Sequence, residues 1–342
     1  MTKILEKKQI CVIDGSMGTA LEHLGANLNN SLWTARVLLD QPELVKKVHL
    51  DYFHAGADAG ITCSYQATIP GLMANGLSEK EAEDLIVRSV KVFQEARNEW
   101  WEKEGKAADR AYPMCLAGIG PYGAYLADGS EYKGHYGIPD AALHDFHQRR
   151  AELLWEAGAD VLLFETQPSL GEAKIEAAIA ERLGADYWIS FSCKDGLHIN
   201  EGDLIRDCAA AFRSGYPRLR ALGVNCTKPE YLESLIKELG KETDLPIVVY
   251  PNSGETYDPV TKTWNGKATA IPSRTMPGHI WKPAPVPLAA AAPPYLSISS
   301  RWQKREKNSW TVKVKHKMRK VGRFSCYWYP YISKDQLIKD FN

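Results

Sequence analysis

Cys226 stands where a thiol can do chemistry. It closes the apolar run Leu219–Asn225 and is followed at once by Thr227, Lys228, Pro229 and Glu230. The run reads as a buried strand in which Gly223 admits close packing. The residues after it read as a helix start, with Thr227 as cap and Pro229 in the first turn. The carboxyl end of a strand is where α/β sheets and barrels keep their reactive groups. A lone free cysteine is more often inert core, so the weight falls on polar groups placed alike. Asp14 follows Ile10–Ile13, Thr62 follows Ala59–Ile61, Glu165 follows the run 160–164, and Ser192 follows Tyr187–Phe191. By position alone, Asp14 and Glu165 are as well explained by helix capping or a solvated rim as by binding a ligand.

The elements that must position these groups repeat one pattern. Short apolar runs at 10–13, 59–61, 114–120, 160–164, 187–191, 219–225 and 246–250 each end in polar or turn residues. Between them, 37–53, 82–100, 143–155 and 232–239 carry apolar residues at three- and four-residue spacing. Near-continuous apolar strands alternating with helices imply a parallel sheet covered on both faces. Seven such units fit an α/β fold of the (β/α)8 TIM type, incomplete, with its eighth strand lost or replaced. A doubly wound sheet fits less well, because no glycine-rich phosphate loop opens the first helix.

Bulk composition suits a soluble enzyme: 342 residues, 44% apolar, 25% charged. No apolar run reaches the roughly eighteen residues of a membrane span. Seven cysteines without paired spacing suggest reduced thiols and a cytoplasmic location. The net charge of zero hides a break. Residues 270–342 hold fourteen Lys and Arg against three Asp and Glu, so 1–269 is acidic by the same eleven charges. Seven of the nineteen prolines fall between Pro272 and Pro294. Prolines there forbid the eighth helix and a central strand.

Six segments carry a specific resemblance: 14–19 (Asp-Gly-Ser-Met-Gly-Thr), 62–66 (Thr-Cys-Ser-Tyr-Gln), 164–166 (Phe-Glu-Thr), 190–192 (Ser-Phe-Ser), 223–226 (Gly-Val-Asn-Cys) and 250–254 (Tyr-Pro-Asn-Ser-Gly). In this order, each at a strand end, they make residues 1–269 similar to the homocysteine S-methyltransferase family, most closely to bacterial members that use S-methylmethionine. The resemblance implies transfer of a methyl group from S-methylmethionine or S-adenosylmethionine to homocysteine, giving methionine. It implies a zinc ion held by three cysteines, one matching Cys226 and two adjacent in a Gly-Gly-Cys-Cys-Arg-Thr run at the eighth strand. Zinc would make the substrate thiol a thiolate at neutral pH. Cys226 is thus the expected catalytic residue and the surviving metal ligand. Glu165 and Asp14 are expected to hold the substrate ammonium, with Asp14 alternatively at the donor end. Asn225, Thr62 and Ser192 are expected to bind the amino-acid head group. Tyr65, Tyr122 and Tyr125 could favour a sulfonium by cation–π contact, or simply pack. His135, His144 and His147 read as surface residues on an outer face.

The chain departs from the family in one respect: it contains no Cys-Cys, and Cys326 alone lies downstream, in a basic aromatic stretch with no strand pattern. Suitable codons for 270–294, read from the third base of the first, spell an amphipathic helix followed by Gly-Cys-Cys-Arg-Thr-Thr. The ending from about residue 270 therefore reads as a frameshifted, non-family, basic Pro-rich tail without fixed structure, one glycine of the family's pair not being recovered. A natural Pro/Ala-rich linker is the other reading. The chain should then bind zinc poorly and be nearly inactive. Two other classes stay open. One is an amino-acid-binding barrel without catalysis. The other is a nucleic-acid arm built on Lys313, Lys315, Lys317, Arg319 and Lys320 beside Phe324, Tyr327 and Trp328, the less favoured of the two.

Overall fold

The structure is a computed structural model, and it describes residues 10–252, 256–258, 263–265 and 325–328. Parallel strands form its centre: β1 (Ile10–Ile13), β2 (Ala59–Ile61), β3 (Met114–Ile119), β4 (Val161–Gln167), β5 (Tyr187–Phe191), β6 (Leu219–Asn225) and β7 (Ile247–Tyr250). A short antiparallel pair follows, β8 (Thr256–Asp258) with β9 (Thr263–Asn265), and then β10 (Ser325–Trp328). The barrel is closed, in the order β1-β10-β7-β6-β5-β4-β3-β2. β10 runs parallel to both neighbours, pairing Cys326 with Cys11 on one side and with Val248 on the other.

The eighth position is thus replaced rather than empty, by a stretch in which the sequence shows no strand pattern. Its four residues include Tyr and Trp, types that favour extended backbone. Closure pairs the N–H and C=O groups that β1 and β7 would otherwise leave bare. The tail at 270–324 and 329–342, including Lys313 to Lys320 and Phe324, lies outside the described residues.

Period-two alternation divides the core. Val161, Leu163, Trp188, Ala221 and Val248 fill the barrel interior, while Leu162, Phe164, Ile189, Leu222 and Val249 pack outward against helices. On the same parity Glu165, Asn225 and Tyr250 face the upper interior. β6 needs glycine at 223, since a Cβ there would lie 1.9 Å from Val248 O.

The outer layer comprises α1 (Met17–His23), α2 (Thr34–Asp40), α3 (Pro42–Ala55), α4 (Ile69–Ala74), α5 (Glu79–Trp100), α6 (Tyr122–Leu126), α7 (Asp140–Glu156), α8 (Leu170–Leu183), α9 (Ile205–Ala211) and α10 (Leu232–Glu242). A capping box of Ser78 and Glu81 starts α5, and the Ser169 hydroxyl caps α8. The helical pattern over 37–53 is in fact two helices. Gln41 leaves the helical region (φ −143°, ψ 58°), and Pro42 removes the N–H that continuity would need. The expected cap at Thr227 is also corrected. A 3-10 turn, Pro229–Tyr231, precedes α10, and the Thr227 hydroxyl instead accepts from Cys193 N and donates to Asn225 O.

Candidate active site

Cys226 lies at the carboxyl end of β6, half-buried, with a left-handed backbone (φ 46°). Opposite it on β4, Thr166 has φ 62°. A β-branched residue rarely adopts this region, and such strain gathers at functional sites. The Asn225 side chain holds the arrangement. Its Oδ1 accepts from Thr166 N at 2.8 Å, and its Nδ2 donates to Thr166 Oγ1 at 2.8 Å and to Cys226 Sγ at 3.3 Å. Thr166 Oγ1 in turn donates to Sγ at 3.5 Å. Burial pushes the Cys226 thiol up to about 12, with the Thr166 hydrogen bond opposing that.

Glu165 is buried beside this thiol, and Asp14 is buried within reach of Glu165. Glu165 adjoins Thr166, and its charge is felt at Cys226 and at Asp14. Burial raises Glu165 to about 8, and the Tyr250 hydroxyl partly offsets the shift. Asp14 is also held well above the usual carboxylate range by burial. Its Oδ2 accepts from Ile61 N at 2.9 Å, while its Oδ1 has no hydrogen-bond partner among the described residues. Each carboxyl exploits a missing side chain: a Cβ on Gly60 would lie 2.9 Å from Asp14 Oδ2, and one on Gly118 would lie 2.6 Å from Glu165 Oε1. Buried carboxyls in this state favour a cationic guest, whose charge replaces the lost solvation.

The remaining expected residues have protein partners. Thr62 Oγ1 bonds Ser64 Oγ at 2.6 Å and accepts from Gly118 N at 3.2 Å. Ser192 Oγ donates to Thr166 O and Glu131 O, both at 3.3 Å, and accepts from Asn200 Nδ2 at 2.8 Å. Tyr65 faces the Trp33 ring at 6.3 Å and lies close enough to Cys226 to feel its charge. Tyr122 and Tyr125 pack against Phe146 of α7 at 5.0 and 5.5 Å. Of the three histidines, His135 is exposed and His144 partly so, but His147 is wholly buried. That corrects its surface assignment: α7 turns this residue toward α8, where Glu172 Oε1 meets its Nε2 at 2.8 Å. Thr166 and Tyr250 were not singled out as site residues from the sequence, although both stand inside the quoted segments.

Among the described residues, no helix is long and apolar enough to cross a membrane. A closed parallel barrel with a thiol and two buried carboxyls at the carboxyl ends of its strands defines an α/β-barrel enzyme site for a small polar substrate. The sequence profile described as Homocysteine S-methyltransferase matches residues 11–292. YbgG of Bacillus subtilis, a homocysteine S-methyltransferase, is 53% identical over 268 residues, 78% of this chain and 85% of its own. The Escherichia coli homocysteine S-methyltransferase is 45% identical over 267 residues, covering 77% and 84%. The metallated crystal form of E. coli MmuM, a homocysteine methyltransferase, superposes with a TM-score of 0.69 at 42% identity, over 76% of this chain and 89% of that one. The chain belongs to the homocysteine S-methyltransferase family, transferases that methylate homocysteine to methionine.

Among the described residues no three-cysteine group with metal-ligand spacing forms, so these do not fit the zinc set that the resemblance implies. Cys11, Cys63, Cys115, Cys193 and Cys208 are all buried, Cys63 Sγ donating to Thr34 O at 3.4 Å. Cys326 is in register with Val248, whereas Cys226 N bonds Tyr250 O two residues further up β7. The His/Cys/Asp/Glu group with metal-ligand spacing among the described residues is instead His147, Glu172 and Glu176, behind the barrel wall.

Proposed function

We propose that the cup takes homocysteine together with a sulfonium methyl donor, S-methylmethionine or S-adenosylmethionine, and that its reaction is methyl transfer to the homocysteine sulfur. The observation that carries this reading is the convergence of Cys226 with the buried carboxyls Glu165 and Asp14 in a chain of this family. The substrate ammonium lies between Asp14 and Glu165, where either carboxyl gains a counter-charge. The thiol end reaches toward Cys226. Thr62, Ser192 and Asn225 form the wall around the head group, Asn225 acting chiefly by holding Thr166 and Cys226. Trp33 and Tyr65 offer aromatic faces to the sulfonium.

In the reaction the homocysteine sulfur bonds to the methyl carbon as the sulfonium C–S bond breaks, and a neutral thioether departs without needing an acid. The acceptor must lose its proton first, and a free thiol with a pKa of about 8.5 is mostly protonated at neutral pH. Zinc would assist that step, but the described residues offer no three-cysteine group to hold it. The barrel therefore keeps its cup and turns over slowly. We also assign residues 1–269 to the family barrel and 270–342 to a basic non-family tail that supplies β10. A cytosolic location, with small-molecule partners rather than nucleic acid or membrane, completes this reading, and the free cysteines among the described residues support it.

Titration calorimetry with homocysteine, paired with a methionine-formation assay, tests this. Saturable one-to-one binding with turnover far below that of the B. subtilis relative is expected. Absence of binding overturns the cup, and relative-like turnover overturns the slow reaction.

A further inference from the structure

We propose that the buried network of Arg150, His147, Glu172 and Glu176 is a positioning device that sets three consecutive substrate-side loops, an inference that rests on the homocysteine-cup reading above. The four side chains lie on α7 and α8, outside the barrel, and none is more than 1% exposed. A network serving helix packing alone would close on itself between the two helices. This one directs its strongest bonds to loop backbone. Arg150 Nη2 donates to Gly120 O at 2.7 Å, and Nη1 reaches Tyr65 O at 3.5 Å. Glu172 Oε1 accepts from Tyr122 N at 2.6 Å and faces His147 Nε2 at 2.8 Å. Glu176 Oε1 accepts from Gln167 Nε2 at 3.2 Å.

Tyr65 and Gly120 follow β2 and β3, and Gln167 ends β4. Tyr65 flanks the thiol, Gly120 and Tyr122 begin the loop that runs to Glu131, and Gln167 follows Thr166, which holds Cys226. The charges suit a permanent clamp. His147 Nδ1 lies 3.0 Å from Arg150 Nη2 and 3.3 Å from Glu176 Oε1. Burial keeps this imidazole neutral and raises Glu176, and Arg150 supplies the positive charge of the network. The same His/Glu/Glu group has metal-ligand spacing, but a guanidinium already against the imidazole disfavours a second cation. Because Arg150 and Glu172 grip backbone, they can fix the first two loops whatever side chains those loops carry.

Amide hydrogen exchange on the full chain, with homocysteine calorimetry beside it, tests the clamp in Glu172→Leu and Glu172→Gln. Leucine leaves Tyr122 N without its acceptor. Gln keeps an oxygen for it and leaves Arg150 and Glu176 in place. In Glu172→Leu, segments 64–68, 120–125 and 165–168 should lose about tenfold in protection while β5 amides keep theirs, with homocysteine affinity falling about tenfold. Glu172→Gln should restore both. Unchanged loop protection in Glu172→Leu, or no rescue by Gln, overturns the proposal. So does a zinc- or magnesium-dependent rise in Tm that Glu172→Gln abolishes. If Glu172→Leu does not fold, Arg150→Lys takes its place, since one ammonium cannot span Gly120 O and Tyr65 O, and undisturbed loops there overturn the proposal equally. Should the unsubstituted chain not bind homocysteine, the functional reading fails by itself and the exchange comparison still decides the clamp.

Discussion

Glu165 links the chemistry of the cup to pH. Its carboxyl is raised from the ordinary 4.5 to about 8 by burial. Between those values the folded chain retains a proton that the unfolded chain has lost, so this group's contribution to ligand-free stability declines as pH rises through the window. An ammonium guest needs the carboxylate and must displace that proton. Homocysteine affinity should therefore strengthen by up to about tenfold per pH unit between roughly pH 6 and 8. Calorimetry across that range should show the slope in the unsubstituted chain, and Glu165→Gln should bind at least about tenfold more weakly with the slope lost. A flat profile in the unsubstituted chain would remove Glu165 from the ammonium site. Asp14, Glu165 and Cys226 were readable as candidates because each ends an apolar run. Their environment was not readable. That Asn225 spends its amide on Thr166 and Cys226 follows from the left-handed turns at 166 and 226, and non-glycine residues carry no sequence mark of that conformation.

At the scale of elements, α3 and α5 pack through an unusual contact. His49 is fully buried, its ring 4.9 Å from that of Phe93, and neither ring nitrogen has a partner among the described residues. Burial lowers it from 6.5 to about 3. The unfolded chain then binds a proton that the folded chain refuses. The penalty is absent above pH 6.5 and grows as pH falls toward 3. His49→Leu should raise Tm at pH 5 by at least about 2 °C and by less at pH 7.5. A Tm that falls at both pH values would mean that the imidazole has a polar role. Strands were legible here because the barrel buries both faces and leaves unbroken apolar runs. His147 was misplaced because helical spacing alone does not reveal which face of α7 meets α8.

Across the whole molecule, seven βα units announce a barrel, while its closure by β10 rests on no periodic signal. A four-residue strand at the end of a basic segment gains its place from the bare edges of β1 and β7. A chain ending at residue 269 should therefore self-associate more than the full chain at equal concentration in sedimentation velocity; equal behaviour would show that those edges need no cover. The central claim is that this family barrel has kept its substrate cup while lacking the thiolate set that would hold zinc beside Cys226. The zinc content of the purified, mass-verified 342-residue chain with homocysteine present tests that claim most directly. The account predicts well under one zinc per chain, and one tightly held zinc per chain would contradict it.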